Sequence, residues 1–330
     1  MNRTALQLAI VNDKIESAKV LLEFGADPHV KDQDLYTPLA LAVAHSDCEM
    51  IELVFKFNHG RLDIRGPEGQ TPLLISANMN NVENLKCLED LGAEHGDLDD
   101  YNSTIVIRSS ITGALDALMY LIPKLIKFTH NTNFLEHRGI EGKTALLFAA
   151  SRGHPLCAEY LIESGADILA HDDYGENCLT LAAAHGNKDT LKTLLKFVDI
   201  EFRGYQNETA LLSSAYANHH ENMVFLLESG ADISAVDNYG DSVLHKAARI
   251  GSLKMVKFVV EYGKGKKLEK NLPGYNKHTA LALAAIERRK NIAKYLLKSG
   301  TCPTRACKSL DVADCKYLES LSAENLRARN

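Results

Sequence analysis

The 330-residue chain is 45% apolar and 24% charged, with 37 Lys plus Arg against 43 Asp plus Glu and a formal charge of −6. That much apolar surface can offset the entropy of ordering, which excludes a disordered polyelectrolyte. The net negative balance argues against a protein that coats phosphates, so no nucleic-acid partner is expected.

The chain opens Met1-Asn2-Arg3-Thr4, and a short apolar stretch (residues 5–11) contains Gln7 and runs into Asn12-Asp13-Lys14. No small-residue cleavage site follows, so it does not read as a signal peptide. No apolar run anywhere approaches the ~18 residues that cross a bilayer, and no membrane insertion is expected.

Self-similarity dominates the chain as a whole. The polar residues that open successive helical patterns are Thr4, Thr37, Thr71, Thr104, Thr144, Asn177, Thr209, Ser242 and Thr279. Their spacings are 33, 34, 33, 40, 33, 32, 33 and 37. Each carries an oxygen that can accept a free backbone N–H, as an N-cap must. A first short helix follows each anchor and a second short helix follows that, each predicted to end at a glycine, as in 144–153 and 158–165. First helices carry small pairs such as Ala149-Ala150, Ala183-Ala184, Ala247-Ala248 and Ala284-Ala285, which let neighbours approach closely. Second helices supply Val20-Leu21-Leu22, Tyr160-Leu161-Ile162, Leu194-Leu195, Phe225-Leu226-Leu227 and Tyr295-Leu296-Leu297. One pair cannot bury its apolar face alone; stacking does so.

Thr37-Pro38-Leu39, Thr71-Pro72-Leu73, the Leu-Leu-x-x-Gly-Ala-Asp endings at 21–27 and 226–232, and the period of 33 resemble ankyrin repeats. The resemblance covers residues 2 to about 304. It implies an all-α repeat solenoid of about nine repeats over 1–304, built of helix pairs joined by short β-hairpin fingers. Residues 305–330 are expected to form a degenerate capping half-repeat. Lys308-Ser309-Leu310-Asp311-Val312-Ala313 is its first helix, and Leu310, Cys315, Leu318 and Leu321 cover the last stack.

Two spacings exceed the period. The 40-residue one adds residues around 123–140, with Pro123 after Tyr120-Leu121-Ile122 in a second helix and Ser109-Ser110 in place of the alanine pair. A mid-helix proline costs ~3 kcal/mol unless the helix ends or kinks there. This stretch is therefore either a drifted repeat or a bend between two sub-stacks. The 37-residue spacing lengthens the finger after Gly263 with Lys264, Lys266, Lys267 and Lys270 around Glu269. Such a run is a solvated loop or a contact for an acidic partner or a phosphate.

The resemblance implies that partners meet finger tips and the exposed ends of first helices. The tips carry Tyr101, Tyr174, Tyr205, Tyr239 and Tyr275. Tyrosine offers rigid contact area with a polar end and is enriched in binding hot spots. Arg152, His185, Tyr216 and Arg249 add to the same face, with His45 and Asn78 in the N-terminal half. Asp172, Asp173, Glu176, Glu208, Asp237 and Asp241 lie between them and are expected mostly to decorate a solvated surface. The mixture suggests a protein target with some basic character.

Catalytic chemistry finds little purchase. Cys178 opens a helix, but His185, seven residues on, lies roughly 10 Å away along the axis, too far for direct proton transfer. The seven cysteines (48, 87, 157, 178, 302, 307 and 315) are odd in number and scattered, which predicts no disulfide framework and a reducing cytosol. Cys302, Cys307 and Cys315 lack a fourth ligand and fit no standard zinc pattern. No phosphate loop, His-Glu-x-x-His or nucleophile elbow occurs. The expectation is a non-enzymatic, monomeric, cytoplasmic adaptor without cofactor or metal that binds proteins. Narrower alternatives are a bacterial effector in a eukaryotic host cytosol, a regulatory or inhibitory subunit, or an enzyme sited in 123–140.

Overall fold

The structure is a computed structural model that describes residues 3–266 and 268–327. It divides into two compact units, Met1–Asp173 and Tyr174–Asn330. In the first unit α1 (Ala5–Val11) pairs with α2 (Ile15–Glu23), α3 (Pro38–His45) with α4 (Cys48–Phe57), and α5 (Pro72–Asn78) with α6 (Val82–Asp90). Next come α7 (Ile105–Thr112) with a long α8 (Leu115–Thr129), then α9 (Ala145–Arg152) with α10 (Pro155–Glu163). The second unit holds α11 (Cys178–Ala184) with α12 (Lys188–Leu194), and α13 (Ala210–Tyr216) with α14 (His220–Glu228). It continues with α15 (Val243–Ile250) and α16 (Leu253–Tyr262), then α17 (Ala280–Ile286) and α18 (Lys290–Lys298). Two helices close it, α19 (Pro303–Cys307) and α20 (Val312–Arg327).

All nine anchors occupy the N-cap position of a first helix. Thr37 Oγ1, for example, accepts the Ala40 N–H at 3.1 Å and satisfies a donor that the first turn leaves unpaired. Helix ends depart from expectation. Only α7, α9 and α15 stop at a left-handed glycine among first helices, and after α5 and α13 asparagine serves: Asn80 and Asn218 take φ of 57° and 62°. Asparagine tolerates this conformation because its short amide bonds locally.

First helices stack on first helices. Ala149, Ala150, Ala183, Ala247, Ala248, Ala284 and Ala285 are inaccessible, which sets the close approach. Where α7 has serines instead, Ser109 Oγ donates to the Ile105 carbonyl at 2.9 Å and Ser110 Oγ to Val106 at 2.8 Å, so neither hydroxyl is orphaned in the core. Second helices reach across to the preceding repeat. The Asn84 amide on α6 donates to the Val43 and Ser46 carbonyls at the end of α3, and Asn222 on α14 to Ala183 at the end of α11. Those carbonyls have no partner within their own helices.

The fingers are not β-hairpins. Among the described residues they are tight turns with isolated bridges, such as Arg203 to Thr209 and Val236 to Ser242. They alternate between two sorts along the chain: Asp32, Asp99, Asp172 and Asp237 against Gly66, Gly139, Gly204 and Gly274. Both sorts close with the same backbone bond, from Asp237 N–H to the Asp241 carbonyl at 3.2 Å and from Gly274 N–H to His278 at 2.8 Å. In the aspartate sort a buried carboxylate oxygen also accepts two turn N–H groups, as Asp237 Oδ1 does from Tyr239 and Asp241 at 2.9 Å each. At Gly274 the neighbouring finger leaves no room for a side chain: a Cβ there would lie 2.1 Å from Asp241 Oδ1.

Pro123 lies inside α8, which continues to Thr129. Pro123 is exposed, so water can satisfy the Met119 carbonyl that the proline leaves unbonded. Residues 308–311 are the connection between α19 and α20, not a first helix; the cap packs through Leu318 and Leu321, both buried. The lysine-rich segment begins at the end of α16, where Lys264 pairs with Glu261 and the Lys266 ammonium sits 3.2 Å from the Tyr262 ring centroid. Lys267 lies outside the described residues. The cysteines are also not all free: Cys48 is bonded to Cys87 and Cys307 to Cys315. Positions 39 apart meet because stacking sets α4 beside α6, and the scattered spacing therefore carries no argument for a reducing compartment.

His245, three residues into α15, accepts the Ser242 N–H on Nδ1 at 3.1 Å and donates from Nε2 to the Leu272 carbonyl at 3.0 Å. Gln7 makes the same two bonds in the first repeat, from the Thr4 N–H and to the Val30 carbonyl, both at 2.8 Å. Burial holds the His245 imidazole below its ordinary value of 6.5, against the opposing pull of Asp241. The unfolded chain thus takes this proton first, and stability is lost as pH falls through about 6.5. His245→Gln should fold and should lose less melting temperature between about pH 7.5 and 5.5 than the parent. Superimposable thermal profiles for parent and variant would contradict this role.

Candidate functional site

The six tyrosines read from the sequence as contacts are all on the surface, each 45–63% exposed. Tyr101 and Arg152 belong to the first unit, where the Arg108 guanidinium carbon lies 5.7 Å from the Tyr101 ring centroid. The others belong to the second. There His185 at the end of α11, Tyr216 at the end of α13, Arg249 near the end of α15 and Tyr239 on a finger tip line one hollow of about 480 Å³. Tyr275 stands beside it: its ring meets Tyr239 edge-on at 5.4 Å, and both edge a smaller hollow of about 220 Å³ with Asp241 and Arg249. Tyr174 and Tyr205 sit on fingers outside these linings.

The repeat geometry explains the convergence. The ends of α11, α13 and α15 lie side by side, and their fingers lean over them. Residues at equivalent positions of consecutive repeats are therefore neighbours in space though some 33 apart in sequence. Glu176, Gln206 and Glu208 come from the fingers, and Leu181, Ser213 and Lys246 from the helices.

Of the six carboxylates expected mostly on a solvated surface, three are built in, while Asp173 is exposed and Glu176 and Glu208 are partly so. Asp172, Asp237 and Asp241 are 5%, 4% and 1% exposed. Asp237 Oδ2 meets the Lys246 ammonium at 2.8 Å, and Asp241 Oδ2 meets Arg249 Nη2 at 2.7 Å while its Oδ1 accepts the Tyr275 N–H at 2.9 Å. A buried charge without such partners would be costly, so each is tied to a turn and a cation.

Lys246 escaped the sequence reading although a signal existed. It stands four residues after its anchor, where most first helices carry apolar residues, and only Arg108 shares the anomaly of a charge there. Arg108 likewise pairs with the finger carboxylate of its own repeat, Asp99. Burial would lower the Lys246 ammonium, but Glu208 and Asp237 outweigh it and hold it above its ordinary value. Burial pushes the Glu208 carboxyl up; Lys246 at 3.4 Å opposes this and Glu176 adds to it.

Chemistry of other kinds has few footholds. Cys178 is fully buried. Burial pushes the Cys157 thiol up to about 11 and keeps it protonated at neutral pH. Two clusters, Cys48 with Glu52 and Cys87, and Cys307 with Cys315 and Glu319, bring metal-ligand atoms within 4.8 Å of one another, but in each the two sulfurs are bonded together. No helix among the described residues is long and apolar enough to cross a membrane.

Removing the finger carboxylate should be expensive. Asp237→Ala takes away the acceptor of two turn N–H groups and leaves Lys246 with Glu208 alone at 3.4 Å, for an expected loss of about 3–5 kcal/mol. Asp237→Asn keeps the Oδ1 bonds and should cost about 1–3 kcal/mol. Denaturant unfolding of both variants checks the order; equal losses would contradict the pairing.

Models of ankyrin repeats match residues 6–55 and, in overlapping stretches, 86–172, 122–204, 169–237 and 211–307. The chain is 24% identical over 279 residues to the transient receptor potential cation channel subfamily A member 1 of Homo sapiens, covering 79% of this chain and 24% of that protein. It is 26% identical over 256 residues to the ankyrin repeat and KH domain-containing protein mask-1 of Caenorhabditis elegans, 76% of this chain and 9% of that one. To the neurogenic locus notch homolog protein 2 of Homo sapiens it is 26% identical over 245 residues, 74% of this chain and 9% of the other. The chain thus spans a quarter or less of these relatives. Their shared part is the repeat array, a module that in general serves protein–protein interaction. This chain belongs to the ankyrin-repeat family.

Proposed function

We propose that the chain is a non-catalytic adaptor that binds partner proteins on the side formed by its fingers and first-helix ends. The observation that carries this reading is the meeting of His185, Tyr216, Tyr239 and Arg249 in one hollow of the second unit. Half-exposed tyrosines flank it in a row, Tyr174, Tyr205, Tyr239 and Tyr275. Aromatic area held rigid by a stack costs little side-chain entropy to dock, which favours recognition of a protein surface. Tyr101 and Arg152 give the first unit a similar, smaller set. In this reading the protein needs no cofactor and acts as a monomer. The regulatory-subunit and host-effector versions use the same face and are separated by naming the partner.

The test is affinity purification with the full chain, mass spectrometry, and repetition with Tyr174, Tyr205 and Tyr239 all changed to alanine. The rings are exposed, so thermal stability should hold to within about 0.5 kcal/mol per site. Partner recovery should fall at least about tenfold. Unchanged recovery of every partner would refute the face.

A further inference from the structure

The hollow between the ends of α11, α13 and α15 has a charge pattern and an unfilled polar position that specify its occupant. Its two cations are already committed: Lys246 to Asp237 at 2.8 Å and Arg249 to Asp241 at 2.7 Å. Glu176 and Glu208 also line it, so the carboxylates in and directly beneath the lining outnumber the cations by four to two. The Glu208 carboxylate makes one hydrogen bond, a long one to Lys246 at 3.4 Å. That its carboxyl is pushed up by burial and by Glu176 accords with a local excess of negative charge.

The second observation is independent of charge. Ser213 on α13 lines the hollow, is 6% exposed, and its Oγ has no hydrogen-bond partner. Other buried serines of first helices do not share this: Ser76 Oγ donates to Leu73 and Ser214, next in the chain, to Leu211, each at 2.8 Å. A buried hydroxyl without a partner costs stability unless something fills the site. Tyr216 and Tyr239 supply aromatic walls at the mouth.

We propose that this hollow receives the side chain of one arginine presented by the partner protein, its guanidinium bonded to Glu208 and to Ser213 Oγ and its plane against Tyr216 or Tyr239. The inference rests on the adaptor reading above and adds the chemistry of the residue recognised. Arginine fits better than lysine because its planar fork donates in two directions at once and stacks on aromatic rings. The pair gains from partial burial and weakens with salt.

The probe is N-acetyl-arginine methylamide titrated into the isotopically labelled full chain, followed by amide chemical shifts around Ser213 and Tyr216. Saturable shifts confined to residues of this hollow are expected. The neutral isostere N-acetyl-citrulline methylamide should bind about fivefold more weakly or worse, and N-acetyl-lysine methylamide should also be weaker. Glu208→Gln should weaken arginine by a similar factor. Ser213→Ala, which removes a hydroxyl that bonds nothing in the fold, should weaken it without lowering thermal stability. Equal binding of citrulline or lysine, shifts that do not saturate, or an unchanged titration in both variants would overturn the proposal. If tyrosine-dependent partner capture persists while the arginine probe fails, this inference alone falls. If capture ignores the tyrosines, the adaptor reading falls with it.

Discussion

The structure depends on one constraint: no helix pair here can hide its apolar face without a neighbour. The alanine pairs in α9, α15 and α17 let first helices lie close, and the leucines behind them then fill the remaining space. Because burial is shared between consecutive repeats, stability is a sum of nearest-neighbour terms. The polar devices serve that stacking. Asn84 and Asn222 satisfy helix-end carbonyls of the preceding repeat, and the fingers bond one to the next, as in Tyr205 N–H to the Gly175 carbonyl and Asn238 N–H to the Gln206 carbonyl, both 2.8 Å.

The same devices shape the binding side. A finger needs its turn N–H groups satisfied, and a buried aspartate does this in alternate repeats. Its second oxygen then calls for a cation, met by Arg3 for Asp32, Lys143 for Asp172, and Arg108 or Lys246 from the repeat's own helix for Asp99 and Asp237. Charges that look like a recognition pattern are in large part structural. The set open to a partner is smaller: exposed tyrosine rings, the weakly bonded Glu208 and an unanswered serine hydroxyl.

Much of this was legible in the residues. Period, anchors and alanine pairs follow from local rules of capping and close packing, and the anchor recurs nine times, so the helical stack and every first-helix N-cap could be read directly. Features that depended on contacts between repeats could not. The Cys48–Cys87 bond, the burial of Asp241 and the pairing of Lys246 all join residues from different turns or helices, where spacing alone gives no distance. What Pro123 costs is hidden for a related reason: the penalty for a proline inside a helix depends on which face it occupies, and here it faces water. The tyrosine row was visible; that Tyr239 and not Tyr174 reaches the hollow was not.

Hydrogen–deuterium exchange of the full chain, alone and with a purified partner bound, tests the central claim most directly. Contact on the finger-and-first-helix side predicts new protection in peptides covering 205–217 and 239–249, with the second helices α12, α14 and α16 unchanged. Protection confined to those second helices would contradict the account.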